Sequence, residues 1–332
     1  RQYCSACHLW PAPDILPRRI WGNDVLPLMM YPLGLRQLDT RSEAFAGSAK
    51  IIMEKGLFPD APLISEEDWR EIASYYLLRS SPHEYLGPII ATKPQPKIFR
   101  LRFVNFTDPG PTTTMLRIVG EDRSIYVGTD ARKRVEVVDV NGTVRRAFAE
   151  SITPVHLADD SDDWLVTDIG SFLPTEAATG RVLRVPKAGG PATTVLDKLQ
   201  RPVQAKAADL NGDGRPDLVV SQFGWIGGRF SWFEQRPDGT YQENVLFGKP
   251  GASHAEVRDL NGDGHPDIAL MVAQATESLI FYINDGRGGF ATRTAMQEQP
   301  AFGMSWFELT DFDRDGQLDI LVVNGDVDFA SP

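Results

Sequence analysis

The chain has 332 residues, of which 42% are hydrophobic and 24% are charged, and its formal net charge is −11. This length and hydrophobic content suffice for about two folded domains and exclude wholesale disorder. No apolar run approaches the roughly 18 residues of a membrane-spanning helix, so we expect no transmembrane segment in this chain. The acidic balance, with no basic block, argues against nucleic acid as a partner.

The first motif in the chain is Cys4-x-x-Cys7-His8, which contains both cysteines. This spacing is the attachment signature of c-type haem, in which two thiols form thioethers with the haem and the histidine binds iron. A zinc site would need two further ligands, and the remaining histidines form no pair at zinc-finger spacing. A redox dithiol would need a preceding strand and a βαβ context. The sequence therefore predicts one covalent haem c held by Cys4, Cys7 and His8.

Helical patterns follow over residues 1–80. Ser65 and Asp68 form a capping-box pattern before a stripe of apolar residues at helical spacing, which predicts a helix over about 66–79. A second helix is expected from about Arg41 to Lys55, because Gly56 can end it. Residues 81–97 carry four prolines and no periodic pattern, so we interpret them as a linker.

Residues 1–80 as a whole resemble a small class I-type cytochrome c, which implies an all-α haem domain. The family has a helix before its haem motif, so the natural chain is expected to begin earlier. The resemblance also implies a methionine as the sixth iron ligand. The segment Val25–Met29 resembles a stretch of haem-bearing VCBS-repeat proteins, which makes Met29 the first candidate. Met30 and Met53 are alternatives, and His83 is a bis-histidine alternative.

From about residue 98, short β-rich runs alternate with Gly, Asn and Asp turns. Five runs are alike, and their starts are 40, 54, 50 and 52 residues apart: 124–128, 164–168, 218–222, 268–272 and 320–324. Repeats of this period indicate propellers or solenoids. About four short strands per repeat, with no helical pattern between them, favour the blades of a propeller.

Three repeats begin with nearly the same acidic loop, at 209–217, 259–267 and 311–319. Acids or amides fall at positions 1, 3, 5 and 9, and glycine stands at position 6, an arrangement that offers the oxygen ligands calcium prefers. Position 7 can add only its backbone carbonyl. The candidate ligands are Asp209, Asn211, Asp213, Arg215 and Asp217; Asp259, Asn261, Asp263, His265 and Asp267; and Asp311, Asp313, Asp315, Gln317 and Asp319.

These loops, each followed by an aliphatic strand, resemble the FG-GAP/VCBS repeat of integrin-α-type β-propellers. The likeness is strong over about 200–332 and weak over 115–172. It implies an all-β propeller over 98–332 that binds about three structural Ca²⁺ between strands of its blades. Five blades are visible, and a propeller of this type usually has seven, so we expect the native polypeptide to continue. The acidic run at 159–163 lacks the glycine and the spacing, and His254 and His265 are expected to be exposed loop residues.

The fold prediction is thus a multidomain chain, with a small all-α cytochrome c domain followed by an all-β propeller. It favours one-electron transfer, with the propeller as a docking platform for a redox partner protein or a membrane electron-transfer complex. Haem c attachment and calcium predict a periplasmic or extracellular location. A propeller dehydrogenase with a haem electron outlet is an alternative, although no catalytic residue is identified. An adhesion or carbohydrate-binding propeller, with Trp225 and Trp232 as sugar platforms, is another.

Overall fold

A computed structural model describes residues 11–39, 45, 48–82, 112–120, 123–274, 276–299 and 302–325. Its N-terminal part contains short helices, and the described residues from 112 onward form mainly strands and turns. The helical elements are a 3₁₀ turn (Pro13–Ile15), α1 (Arg18–Ile20), a π-turn (Trp21–Val25), α2 (Leu26–Met29), α3 (Ala49–Glu54) and α4 (Glu66–Arg79). No helix in these described ranges is long and apolar enough to cross a membrane.

Helix α4 has the predicted bounds and cap. The Ser65 hydroxyl oxygen accepts a hydrogen bond from the Asp68 backbone N–H at 3.0 Å, and this satisfies one of the free donors of the first turn. The predicted helix over 41–55 appears only as α3 within the described residues, and 41–44, 46 and 47 lie outside them. Gly56, with φ 59°, ends α3 as predicted.

The helical part has its own apolar core. Its buried members include Trp21, Trp69 and Tyr76, and the two aromatic rings of Trp21 and Tyr76 lie 4.3 Å apart between centroids. The stretch 18–29 is one continuous run of helical turns, which the prolines in the sequence did not lead us to expect. Pro27 closely follows the π-turn as the second residue of α2, so this residue without an N–H stands where the hydrogen-bond pattern of the helical run changes.

In the described part of the chain, eighteen strands form four four-stranded sheets and one two-stranded sheet, each built from consecutive antiparallel strands. This arrangement confirms the predicted repeats of about four strands. The strands are β1 (Thr113–Val119), β2 (Ser124–Thr129), β3 (Arg134–Val138), β4 (Val144–Phe148), β5 (Pro154–Asp160), β6 (Asp163–Asp168), β7 (Gly180–Pro186), β8 (Thr193–Leu199), β9 (Pro202–Ala208), β10 (Asp217–Gln222), β11 (Arg229–Gln235), β12 (Tyr241–Phe247), β13 (Ala252–Arg258), β14 (Asp267–Val272), β15 (Ser278–Asn284), β16 (Phe290–Gln297), β17 (Met304–Thr310) and β18 (Asp319–Asn324).

The five similar runs of the sequence are the second strands of the five sheets. In the middle sheets these second strands are largely apolar because both of their faces are covered, as in β10 and β14, whose residues are all buried. In β10, Val219 joins the core shared with the fourth sheet, whereas Leu218 and Val220 join the core shared with the second. Successive sheets therefore pack face to face, with an apolar core between each pair, as blades of a propeller do.

The outer faces of the first and fifth sheets differ from those of the middle sheets. Leu116 and Ile118 on β1 are 63% and 71% exposed, and Val323 on β18 is 57% exposed. The residue that corresponds to Val323 on β14 is Met271, which is 1% exposed. Within the described residues, these two faces are the sheet faces that no neighbouring blade covers.

The helical part packs directly on the propeller. The ring centroid of Phe45 lies 5.6 Å from that of Trp225 in the loop after β10. The Glu176 backbone N–H donates to the Ser48 hydroxyl at 3.2 Å, and Lys55 Nζ donates to the Glu176 carbonyl at 3.2 Å. The Glu176 side chain is fully buried, and its carboxylate accepts a hydrogen bond from the backbone N–H of Ile226 at 2.7 Å. Glu176 therefore joins the helices to two blades.

Candidate metal centres

Each predicted calcium loop lies between the first and second strands of its sheet: the third, fourth and fifth sheets in turn. The carboxylate at position 1 organises the loop. Asp259 accepts backbone hydrogen bonds from Gly262 at 2.7 Å and from Gly264 at 2.8 Å. Asp209 does the same for Gly212 and Gly214, both at 2.8 Å. The loop backbone is thus wrapped around its first carboxylate.

Glycine at positions 4 and 6 permits this wrapping, because the chain is left-handed there. Gly262 and Gly264 have φ values of 79° and 86°. The third loop carries Arg314 at position 4, and its φ is 64°. A side chain in this region costs about 1 kcal/mol relative to glycine, so the third loop is the more strained of the three.

The side chains at positions 1, 3 and 5 converge. In the third loop, one oxygen from each of Asp311, Asp313 and Asp315 lies within 4.8 Å of the others, and all three residues are exposed. In the second loop, the Asn261 amide donates to Asp263 at 2.8 Å, which brings these two positions together. The side-chain atoms that could bind a metal here are all oxygens, so they fit a hard cation such as Ca²⁺.

The carboxylate at position 9 is engaged differently. Asp267 is fully buried, and its two oxygens accept from the backbone N–H groups of Leu260 at 2.9 Å and Asn284 at 2.7 Å. Asp217 accepts in the same way from Leu210 and Gln235. This residue ties the loop to the third strand of its sheet. Its predicted contribution to calcium, like that of the carbonyls at position 7, stays a prediction.

Backbone hydrogen bonds also favour the ionised form of carboxylates in these loops. The N–H of Gly264, followed by those of Gly262, Asn261 and Asp263, holds the pKa of Asp259 below its usual value. The backbone N–H of Arg215 likewise lowers the pKa of Asp213. Both carboxylates are therefore charged at neutral pH and able to attract a cation.

The first loop differs from the others in one side chain. The Arg215 guanidinium pairs with the Asp213 carboxylate and donates to the Gln235 carbonyl at 3.1 Å. A positive charge on position 5 competes with a metal ion. His265 at the corresponding place in the second loop is exposed, as predicted, and Gln317 in the third carries no charge.

We therefore expect calcium titration to find about three sites, with the first loop the weakest. Arg215→Gln should tighten that site several-fold, since an exposed ion pair of about 0.5–1 kcal/mol no longer competes. Isothermal titration calorimetry with calcium, on protein first stripped of metal with EGTA, measures the affinity of each site. Arg236→Gln, which removes an arginine from the same sheet, is the control and should change no calcium affinity. Equal affinities in Arg215→Gln and the unsubstituted protein would contradict this prediction.

The predicted haem ligands lie partly outside the described residues. Cys4, Cys7, His8 and His83 are among those outside. Met29 and Met30 are partly buried and pack against the apolar core of the helical part. Met53 on α3 is 51% exposed, which separates it from that core. The structure therefore favours Met29 and Met30 over Met53 as thioethers next to an apolar surface.

Two side chains of the same core anchor the residues that follow the haem motif. The Tyr76 hydroxyl donates to the Pro11 carbonyl at 2.9 Å. The Trp21 indole N–H donates to the Pro13 carbonyl at 2.8 Å. A soft sulfur donor beside an aromatic, apolar cluster is chemistry that fits a haem with a His and a Met ligand. The haem itself stays a prediction, because Cys4, Cys7 and His8 lie outside the described residues.

Three expectations for other residues change. His254, expected in an exposed loop, is 5% exposed and lies on β13. It was missed because the pattern around it, Ala-Ser-His-Ala-Glu-Val, has few of the residues that mark a strand. Trp232 is buried in the core between the third and fourth sheets, and Trp225 packs on Phe45. Neither indole is presented as a sugar platform.

Comparisons with known proteins agree with the propeller part. A family model described as an FG-GAP-like repeat matches residues 209–270 and 259–322, which confirms the predicted repeats there. This match does not extend to residues 1–80. A search of curated protein sequences found no match to this chain.

Three solved structures show a similar fold. A gluconolactonase from Xanthomonas campestris is 16% identical with a TM-score of 0.43, and the alignment covers 64% of this chain and 69% of that one. A streptogramin B lyase is 15% identical with a TM-score of 0.43, and the alignment covers 61% of each chain. Regucalcin from Agrobacterium tumefaciens, described as a calcium-binding protein, is 12% identical with a TM-score of 0.41. That alignment covers 60% of this chain and 65% of regucalcin. The chain thus spans less than two thirds of the length of the last two.

Proposed function

We propose that this protein is a c-type cytochrome that transfers single electrons, and that its propeller docks it to a redox partner. One observation carries the proposal. Pro11 and Pro13, which follow the sequence Cys4-x-x-Cys7-His8 closely, are tied by Tyr76 and Trp21 to the core that Met29 borders. A haem attached at the motif would thus have an aromatic core and a thioether close by in the fold.

In this proposal, Cys4 and Cys7 would hold the haem covalently, and His8 and Met29 would bind its iron. When bound, the haem supplies one-electron redox chemistry. Trp21, Trp69 and Tyr76 are buried in an apolar core, and a haem bound against this core would be shielded from water. With His8 and Met29 both bound to the iron, substrate would have no open coordination position, which favours electron transfer over catalysis at the iron.

The propeller supports a docking role through its rigidity and charge. Its blades are joined by continuous apolar cores, and its calcium loops add exposed carboxylates to a chain of net charge −11. A basic partner, either a soluble redox protein or a membrane electron-transfer complex, would be steered to such a surface, and salt would weaken the association. We propose a periplasmic or extracellular location, because haem c is attached outside the bacterial cytoplasm and weak calcium loops suit extracellular calcium levels.

The expectation of seven blades is also retained as a proposal. It is supported by the uncovered apolar faces of the first and fifth sheets, because further blades would bury Leu116, Ile118 and Val323 as the middle blades bury their counterparts.

The decisive experiment is a pyridine haemochrome assay and a reduced-minus-oxidised spectrum of the full chain, made in cells that attach haem c. We expect one haem per chain, and none in a Cys4→Ser, Cys7→Ser double variant. Met29→Ala should abolish the sulfur-to-iron charge-transfer band, whereas Met53→Ala, at an exposed position, should leave it unchanged. A protein without haem would refute the proposal. A band that persists in Met29→Ala and disappears in Met30→Ala would move the sixth ligand to Met30.

A further inference from the structure

A cavity of about 410 Å³ opens among the first strands of the sheets, on the axis around which the blades are arranged. Each of the five described blades contributes to its wall. Arg117 comes from β1, His156 from β5, Lys206 from β9, Glu256 from β13 and Trp306 from β17. Among the described residues, neither the calcium loops nor Met29, Met30 and Met53 line it. In repeated folds, a place where one side chain from each repeat converges can recognise a ligand on several sides at once.

Cationic groups dominate one side of this cavity. Arg117 donates to the Leu157 carbonyl and lies over the Trp164 ring at 5.4 Å, so it is fixed without a carboxylate partner among the described residues. Burial and the nearby Arg117 lower the pKa of Lys206, although Glu256 opposes this shift. Burial and the charges of Lys206 and Arg117 also lower the pKa of His156 to about 3. These three bases therefore face one another at an energetic cost that a bound anion would relieve.

His156 adds an unpartnered polar atom. Its ring nitrogen Nδ1 is buried and has no hydrogen-bond partner within the described part of the chain. Buried polar atoms in native proteins are nearly always paired, and each exception calls for an explanation such as a bound ligand. The ring is neutral at physiological pH, so it can donate or accept according to its tautomer.

The opposite side of the cavity is held in place by a hydrogen-bonded chain of side chains. The Gln204 carbonyl oxygen accepts from the Ala255 backbone N–H at 2.6 Å, which orients the amide. Its Nε2 then donates to His254 Nδ1 at 2.9 Å, so the proton of a neutral His254 must lie on Nε2, 3.5 Å from a Glu256 oxygen. The His254 ring is also stacked on Trp306, with centroids 3.9 Å apart. An aromatic surface is thus fixed opposite the cationic groups.

The charges around the cavity determine which ligand fits. Arg117 and Lys206 contribute two positive charges, Glu256 contributes one negative charge, and Asp159 is neutralised by Lys187 at 2.7 Å. The sum is one positive charge, in a protein whose net charge is −11. We propose that this axial cavity binds a small organic carboxylate, with its charge between Arg117 and Lys206 and its body against Trp306. A dianion such as phosphate would leave one charge uncompensated.

The test is isothermal titration calorimetry of the full, calcium-loaded chain with benzoate, which carries one carboxylate and one ring. Benzamide is the neutral control, and inorganic phosphate is the dianion. We expect benzoate to bind, benzamide not to bind, and phosphate to bind more weakly than benzoate. Lys206→Met keeps the aliphatic stem and should weaken benzoate about tenfold, because one charge-assisted contact is lost. Lys249→Met removes an exposed lysine outside the cavity and should change nothing.

A second variant gives an effect of opposite sign, so a loss of folding cannot be mistaken for support. Glu256→Gln removes the negative charge that offsets one of the two cations and should tighten benzoate several-fold. Three results would overturn the proposal: no benzoate binding at millimolar concentration, equal binding by benzamide, or unchanged affinity in both cavity variants. Tighter binding of phosphate than of benzoate would overturn the assignment to a carboxylate.

Discussion

Replacing Asp267 by asparagine is expected to lower the free energy of unfolding by about 2–3 kcal/mol, even without calcium. The Asp267 carboxylate is fully buried and accepts from the backbone N–H groups of Leu260 and Asn284, one with each oxygen. Asparagine has one oxygen and one NH₂ group. One buried N–H therefore loses its acceptor and faces another donor, which costs more than the absence of an ordinary hydrogen bond.

The matched control is Asp263→Asn at position 5 of the same loop, an exposed residue. It should change stability in EGTA by less than about 0.5 kcal/mol, because exposed substitutions have small effects. In calcium it should lose the stabilisation from its own site, about 2.7 kcal/mol at a hundredfold excess over Kd. Urea unfolding in EGTA and in calcium separates the two effects. If both variants behave alike in EGTA, position 9 has no structural role apart from the metal.

Replacing Glu176 by glutamine should cost about 3 kcal/mol and loosen the contact between the helices and the propeller. The buried carboxylate accepts from Ile226 N–H at 2.7 Å, from Gly227 N–H at 3.3 Å and from the Gln200 amide. A glutamine NH₂ group would face these donors and push the 225–227 loop away. Trp225 would then lose its contact with Phe45, and α3 would lose part of its support.

This second effect has a local readout. Hydrogen exchange over Ala49–Glu54 should rise in Glu176→Gln by more than tenfold, whereas exchange in β14 should stay near that of the unsubstituted protein. Glu150→Gln, at an exposed turn, is the control and should alter neither stability nor exchange. A uniform rise over all blades would mean that Glu176 supports the propeller as a whole and not the helical contact.

The propeller was predictable because its pattern is local and repeated. The run Ile268–Val272 is apolar on both faces and follows an acidic loop with glycine at position 6, and both features recur in register. Helix α4 was predictable for the same reason, since its cap and stripe lie within one segment. The axial cavity was not predictable, because Arg117, His156 and Lys206 are separated by about 40 to 50 residues and meet only when the blades assemble. Glu176 likewise gives no signal in its own segment: its partners come from α3 and the loop after β10.

The stretch 18–29 was hidden for a different reason. Pro27 and Gly22 normally interrupt helices, but here Pro27 closely follows a π-turn and Gly22 lies close to Leu77 on α4. A side chain at Gly22 would come within 3.2 Å of Leu77 Cδ2, so close packing and not chain flexibility explains this glycine. Tertiary contact therefore outweighs local propensity in this segment.

Each of the four complete sheets consists of four strands that follow one another in the sequence, so none of them includes a strand from a distant part of the chain. Each hairpin therefore closes a short loop, and a blade can form once its own segment of about 50 residues is available. During synthesis, a finished blade would present its apolar face as a template for the next one to emerge from the ribosome. Growth would be directional, and a defect in one blade would stall assembly at that point while leaving the earlier blades intact.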